Sequence, residues 1–372
     1  MSKIAINPYA GVNWATFKQY RANLHTHTVY SDGSDDPDEI VDRYKAAGYD
    51  ILAITDHAKS ASYPGATTLY PWTAFPAIWD AWEHYHREER APDRWEARDP
   101  DLLEMVAVEG VEANEYGKDL LSHFNDWPGP FTKNGETLDY IQANGGLATW
   151  AHPGRYTGGD PYNEAMLAQY TESYLAYSCL VGMEVYNRHD RYPTDRVFWD
   201  QVLMRTLPTK PVWAFGNDDT HGAPSNKWRI SWNLFVLESL TLAQVKSAYA
   251  AGRFFVCNQN SWDAPEPPVI NAITVTGNNI KIDATGYTAI EWISNGQVVG
   301  TGETIDVGQV HGLYVRAVLT ATSGGLVGTT LTQPFVLISS LPGMARFGIS
   351  RFSQPGTLQS RVVEVAGESA TV

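Results

Sequence analysis

Apolar residues over the first 260 positions come in short runs that switch between two periods. Ala22 and Leu24 alternate with polar neighbours and run into His25, which predicts a strand. Asp35 or Asp36 followed by Pro37 is a helix start, an acidic cap and then proline in the first turn. Ile40, Val41, Tyr44 and Ala47 recur at helical spacing, and Gly48 ends that helix. Residues 50–55 form an apolar strand that stops at Asp56-His57. The alternation continues with a strand over 105–108 leading to Glu109 and Glu112. A helix around Leu138 and Ile141 follows, closed by Gly145-Gly146, and then a strand over 147–151 ending at His152-Pro153. A strand over 181–186, a helix over about 194–203 and a strand over 212–215 complete the series. Strands alternating with helices predict an α/β fold with a parallel sheet or barrel.

The texture changes after residue 262. Pro265, Pro267 and Pro268 read as a linker. Short strand-like segments follow at 270–275, 280–284, 289–293, 313–317 and 333–338. Gly277-Asn278-Asn279 and Asn295-Gly296 supply turns between them. The expected organisation is a first domain over 1–262, with an aromatic-rich insertion at 60–101. A small antiparallel, β-sandwich-like domain over 263–340 and a tail over 341–372 complete it.

Composition narrows the function classes. The formal net charge of −15 repels nucleic-acid backbones and anionic membranes, so neither is expected as a partner. A small-molecule substrate remains, and even an anionic one can bind if metal ions supply positive charge locally. Cys179 and Cys257 form no CxxC pair or disulfide framework and read as buried thiols. No run of 18 apolar residues predicts a membrane span, and the N-terminal residues lack a signal-peptide pattern, so a cytoplasmic location is expected.

The chemistry lies in the histidines. Six of ten follow predicted strands: His25, His27, His57, His123, His152 and His221. Strand ends are where parallel α/β folds build sites. His25 and His27 straddle Thr26, so an extended backbone points both to one side. Carboxylates accompany them: Asp32, Asp56 and Glu112, and Asp219 two residues before His221. One His-x-His could be incidental. Six strand-end histidines with adjacent carboxylates point to a metal centre, and imidazole with carboxylate suits zinc, manganese or iron. The ligand count implies two to three divalent ions.

These motifs stand, in order, as Leu24-His25-Thr26-His27, Ser31-Asp32-Gly33, Thr55-Asp56-His57, Gly110-Val111-Glu112, His123, Ala151-His152-Pro153 and Asp219-Thr220-His221. The set resembles the PHP (polymerase and histidinol phosphatase) family over roughly residues 20–225. The resemblance implies a distorted (β/α)7 barrel with a trinuclear site. His25, His27, Glu112 and Asp219 would hold one ion. Glu112 would bridge to a second held by His123 and His152, and Asp32, His57 and His221 would hold a third. The catalytic core would be Glu112, Asp219 and His221, supported by Asp56, Glu184, Asn187 and Asp218. Within the family the chain resembles the branch that includes the carbaryl hydrolase. The cues are the sequence from Tyr20 to Leu24, Gly48-Tyr49-Asp50, Asp218-Asp219 and the run from Gly252 to Val256.

Other residues carry weaker signals. The insertion holds Trp72, Trp79, Trp82 and Tyr85; it reads as packing onto the barrel, with a pocket lid as the alternative. His84 and His86 within it read as a solvated helix face. Arg155, Arg188, Arg191 and His189 follow strand ends and are the candidate substrate contacts. Arginine grips phosphate through a bidentate fork. The expected function is a metal-dependent hydrolase using a metal-bridging hydroxide, acting on phosphoesters. The alternative is a carboxylic ester, amide or carbamate hydrolase with the same site. A non-catalytic scaffold ranks below both, because every ligand position is filled.

Overall fold

Asp36 opens the first helix as its acidic-cap pattern predicts: its backbone N–H donates to Glu39 Oε2 at 3.3 Å, and Gly48 closes the segment with φ +77°. The computed structural model describes residues 2–58, 98–125, 133–222 and 228–339. The expectations for most of the insertion, including the lid, His84 and His86, and those for the tail lie outside the described residues.

The elements run β1 (Ser2–Ile6), β2 (Lys18–Asn23), α1 (Pro37–Ala46) and β3 (Ile51–Ile54). A hairpin of β4 (Val106–Glu115) and β5 (Lys118–His123) leads to α2 (Glu136–Ala143), β6 (Leu147–Trp150), α3 (Gly154–Thr157), α4 (Glu164–Ala176) and β7 (Leu180–Asn187). Next come α5 (Asp195–Thr206), β8 (Trp213–Asn217), β9 (Ser231–Leu237), α6 (Leu242–Ala251) and β10 (Phe254–Gln259). The C-terminal strands are β11 (Val269–Thr276), β12 (Asn279–Thr285), β13 (Ala289–Ser294), β14 (Gln297–Thr301), β15 (Thr304–Asp306), β16 (Tyr314–Ser323), β17 (Leu326–Leu331) and β18 (Phe335–Ser339).

The α/β class holds, with helices alternating with parallel pairs β2–β3, β3–β4, β6–β7 and β7–β8. The expected closed barrel does not. The sheet runs β1-β18-β16-β17-β10-β9-β2-β3-β4-β5-β6-β7-β8 and stops. The reason lies at β2, whose other edge is taken by antiparallel β9, which in turn hands the sheet on to β10 and β17. Side chains span the gap that remains. Asn217 Oδ1 accepts from the Leu24 N–H at 3.0 Å, and Asn233 bonds both backbone groups of Gly216. An isolated parallel bridge joins Thr26 to Thr220. Gln333 supplies both bonds of a missing strand partner to Ala214, each 2.8 Å.

One large core lies between the sheet and its helices, built on residues such as Trp150, Tyr170, Phe198 and Phe254. A second fills the space between the three-stranded sheet β11-β12-β15 and the C-terminal strands, around Ile273, Ile282, Trp292 and Phe335. The described residues form one compact unit. The buried Asp200 of α5 joins the two halves. Its Oδ1 accepts from Tyr314 Oη at 2.6 Å and Arg316 Nε at 3.0 Å, and its Oδ2 from Arg316 Nη2 at 2.8 Å. Breaking a buried pair strands a charge. Asp200→Ala is therefore expected to cost about 3–5 kcal/mol in urea unfolding. Adding Arg316→Met should recover much of it, and a loss below about 1 kcal/mol for the single variant would contradict the assignment.

Candidate metal centre

The strand-end residues converge because two isolated parallel bridges, Thr26–Thr220 and His57–Glu112, carry the pairing one step beyond the sheet. The His27 N–H donates to Thr220 O at 2.9 Å, so 25–27 is extended and both imidazoles share a face. His25 Nε2 and His27 Nε2 lie 3.0 Å apart. Gly33 makes the next turn possible: a Cβ there would sit 2.6 Å from the His27 carbonyl carbon. Asp219 and His152 adopt positive φ, 45° and 27°, an uncommon backbone for residues other than glycine and one that clusters at functional sites.

Glu112 is the hub. Its Oε2 lies 3.3 Å from His25 Nε2, 3.1 Å from His27 Nε2 and 3.2 Å from His57 Nδ1, while Oε1 lies 3.0 Å from His152 Nε2. Asp219 Oδ1 is 3.6 Å from His25 Nε2 and 3.4 Å from His27 Nε2. Asp32 is a second hub nearer solvent. It lies 3.4 Å from His27 Nδ1, 3.7 Å from His57 Nε2 and 3.0 Å from His221 Nε2. Three groups able to hold an ion result: His25 with His27 and Asp219; His25 with Glu112 and His152; and His27 with Asp32 and His57.

Burial opposes charge throughout this cluster, and opposite charges outweigh it. His27 is pushed up to about 10, burial resisting and Asp32, Asp219 and Glu112 prevailing. His25 rises well above the ordinary histidine value against burial, with Glu184 the strongest opposing influence. Burial would raise Glu112, but His57, His25 and His152 hold it well below the carboxylate range. His25, His27 and Arg188 do the same for Asp219.

Glu184, Asn187, Asp56 and Asp218 hydrogen-bond around the cluster. Glu184 Oε1 accepts from His25 Nδ1 at 2.8 Å, and its Oε2 accepts from the His152 N–H at 2.9 Å and from Asn187 Nδ2 at 3.1 Å. Asn187 Nδ2 also lies 3.2 Å from Asp219 Oδ2. Asp56 accepts from the Thr28 N–H, Thr28 Oγ1 and Ser31 Oγ at 2.6–2.7 Å, ordering the loop after His27. Asp218 accepts from Tyr44 Oη and from the N–H groups of Arg229, Ile230 and Ser231.

His123 is not brought into any of the three groups. Strand β4 runs on past Glu112 and returns as antiparallel β5, so His123 pairs with Gly110, below Glu112 rather than level with it. Its Nε2 lies 3.0 Å from Leu24 O and its Nδ1 3.1 Å from Tyr249 Oη, and burial lowers it to about 4. The reversed strand instead raises Asp119 to the rim, 3.9 Å from His152 Nε2 and hydrogen-bonded to Tyr156 Oη and Arg155. Asp119 and Asn217 were missed in the sequence. Asn217 stood beside Asp218-Asp219, but nothing marked Asp119, since strand order alone puts it there.

The three arginines differ. Arg188 is tied into the centre: Nη2 lies 3.1 Å from Asp219 Oδ2 and 3.0 Å from His221 Nδ1, and Nε donates to Asp219 O. Arg155 and Arg191 are half-exposed on the rim, Arg155 on Asp119 and Arg191 Nη1 4.0 Å from Asp219 Oδ2. His189 lies half-buried on the loop after β7 and joins none of the groups. Both cysteines are free and buried.

Residues 23–206 match the family model of the PHP domain. Among solved structures it is similar to a two-domain protein from Bacteroides vulgatus, named for a PHP-like metal-dependent phosphoesterase predicted within it. Identity is 13%, coverage 89% of this chain and 90% of that one, and the TM-score 0.47. It is also similar to a candidate metal-dependent phosphoesterase from Bifidobacterium adolescentis, 17% identical over 62% of this chain and 96% of that one, with a TM-score of 0.34. No curated protein matches the chain. No helix among the described residues is long and apolar enough to cross a membrane.

Proposed function

We propose that this PHP-domain chain is a metal-dependent hydrolase that holds two to three divalent ions and acts on a small anionic phosphoester. The observation that carries the reading is the convergence of His25, His27, His152 and His57 on the single carboxylate of Glu112, with Asp32, Asp219 and His221 alongside. The donor set fits zinc, manganese or iron. Ligand atoms 3.0–3.7 Å apart have the spacing of neighbours around one ion, about 3.0–3.4 Å for bonds of roughly 2.1 Å. On this reading His25, His27, Glu112 and Asp219 serve one ion, Glu112 and His152 a second, and Asp32, His57 and His221 a third. Both ring nitrogens of His123 are engaged elsewhere, so it stays outside the set.

Bound divalent ions supply Lewis-acid activation of water and neutralise charge at the reacting group. The protein's own residues do the rest. Glu184 and Ser31 hold the outer nitrogens of His25 and His27, which aims the opposite nitrogens inward. Arg188 holds Asp219 and His221 in place, which leaves Arg155 and Arg191 as the forks that receive substrate oxygens. Two guanidinium groups suit a substrate that spreads negative charge over several oxygens. Their local charge offsets the net charge of −15.

A second reading has its own observation. The rings of Tyr156 and Tyr192 lie 6.2 and 6.3 Å from the His152 ring, and such a flank suits an aryl ester or carbamate. The carbaryl-hydrolase-like cues fit it too. A turnover screen of metal-analysed protein separates the two. The phosphoester reading expects a phosphoester to give the highest specificity constant, with inorganic phosphate or vanadate inhibiting competitively. Arg191→Ala should raise KM for phosphoesters about 10–100-fold, the worth of a charged hydrogen bond, and spare neutral esters. A higher specificity constant for an aryl carbamate, or an even loss on both classes, would overturn it.

A further inference from the structure

The outer partners of the centre's imidazoles differ in charge. Nδ1 of His25 lies 2.8 Å from the carboxylate of Glu184, a partner that accepts a proton and favours Nε2 as the ligating atom. His221 has the opposite arrangement. Its Nδ1 lies 3.0 Å from Arg188 Nη2, and a guanidinium only donates. The same Nδ1 lies 3.0 Å from Asp219 O, which only accepts. One nitrogen cannot serve both. When Nδ1 accepts from Arg188, the ring proton is on Nε2 and faces Asp32 Oδ2 at 3.0 Å. When Nδ1 donates to Asp219 O, Nε2 is free to ligate.

Arg188 is fixed in this place by its backbone. It follows β7 with φ +55°, uncommon for a residue other than glycine. Its N–H donates to Asn217 O at 3.1 Å, and its carbonyl accepts from Ser231 Oγ at 2.8 Å and Asn258 Nδ2 at 3.2 Å. Strands β9 and β10 thus hold the residue that β7 delivers. Its side chain reaches inward, with Nη2 3.1 Å from Asp219 Oδ2 and Nε donating to Asp219 O at 3.1 Å. Asp219 O therefore has a donor without His221, which favours the form with the ring proton on Nε2.

We propose that Arg188 is the positioning residue of His221: it holds the ring proton on Nε2 and so makes the ion of Asp32, His57 and His221 the weakest of the set and the last to load. The inference rests on the metal-centre reading. An ion at that place needs the proton moved from Nε2 to Nδ1 by way of solvent, and it then meets a ring backed by a cation rather than by a carboxylate. These three side chains are also the more open part of the centre, 14–25% exposed against 0–3% for His25, His27, Glu112, His152 and Asp219. The alternative is that Arg188 only braces Asp219. Its loss would then weaken the ion of His25, His27 and Asp219 and tighten none.

The test uses the full chain. Nitrogen NMR of the His221 ring in the metal-free protein, in mildly alkaline buffer, reports which nitrogen holds the proton. Wild type should hold it on Nε2, and Arg188→Met on Nδ1. Chelator competition with elemental analysis on zinc- or manganese-loaded protein then gives each ion's affinity, and Asp32→Ala, which should remove the ion in question, identifies it. Arg188→Met should tighten that ion about tenfold or more, an outer-partner effect with its sign reversed. The other ions should move by less than about twofold, since Asn187 still holds Asp219 Oδ2. Arg188→Lys keeps a charged donor and should stay nearer wild type. A wild-type proton on Nδ1 or on both nitrogens, no tightening in Arg188→Met, or a loss at the ion of His25, His27 and Asp219 would overturn the proposal. If Arg188→Met does not fold, the proton position in the wild-type ring decides alone. A wild-type protein that takes up no ion would sink the metal reading itself, whereas ions that all load with equal affinity would sink only this inference.

Discussion

Glu112→Ala is expected to empty two ion positions at once, where His152→Ala empties one. Both carboxylate oxygens are committed, Oε2 among His25, His27 and His57 and Oε1 on His152, all within 3.0–3.3 Å. No other described side chain touches four imidazoles of the centre. The His152 ring meets Glu112 alone at hydrogen-bonding distance within the cluster. Loss of an outer partner costs about 10–100-fold in metal affinity, so loss of a shared ligand should exceed that at both positions. Turnover should then fall at least about a thousandfold, because activation of water and charge neutralisation both depend on the ions. Elemental analysis after equilibration at fixed free metal gives the count. Equal ion loss in the two variants would show that Glu112 does not bridge.

Glu112→Gln separates charge from shape. The amide keeps an oxygen at the same place but removes the negative charge that faces four imidazoles. Ion loss close to that of Glu112→Ala would assign the effect to charge, while near-normal loading would assign it to geometry.

How far the sequence foretold this centre depended on strand direction. His25, His27, His57, His152, Asp219 and His221 were legible because each follows a parallel strand, and parallel strands end at one side of a sheet. The same rule misplaced His123. Its strand runs the other way, and hydrophobic periodicity carries no information on direction. That reversal also hid Asp119. The open sheet escaped for a related reason. The strands β9 and β10 were not anticipated, and it is β9 on the edge of β2 that diverts the sheet towards the C-terminal strands. In the C-terminal region the turn dipeptides gave five of the eight strands. The three that were missed, β14, β15 and β17, are short or lie on Gly- and Thr-rich stretches with little apolar contrast.

Metal affinity is expected to keep rising with pH well past neutrality, while the stability of the metal-free protein falls over the same range. His27 titrates at about 10 in the folded, metal-free chain against 6.5 for an ordinary histidine; burial opposes the shift, and Asp32, Asp219 and Glu112 outweigh it. His25 and His152 are raised as well, both against burial, by Glu184 and Glu112 above all for His25 and by Glu112 above all for His152. At pH 7 these rings hold protons that an ion must displace. Each displaced proton steepens the dependence by about tenfold per pH unit, or roughly 1.4 kcal/mol. His27 alone therefore predicts about a tenfold gain per unit from pH 7 towards 10, and His25 adds to it. The metal-free protein behaves oppositely. A raised histidine contributes stability that is fully present below 6.5 and is lost as pH rises through the folded value of about 10. Glu112, held below its ordinary 4.5, contributes stability present above that value and lost on acidification. The chelated protein should thus be most stable between about 4.5 and 6.5 and should weaken from 6.5 to 10. Denaturant melts of chelated and loaded protein across pH 4–10, with calorimetric proton release on metal binding, check both limbs. An affinity that levels off near pH 7, as unperturbed histidines would give, or a metal-free stability that climbs from 6.5 to 10, would mean that the imidazoles of the centre are neutral before the ions arrive. The ring protons would then have to sit on the carboxylates or be absent, and the close approach of His25, His27 and Glu112 could not be an ion pair.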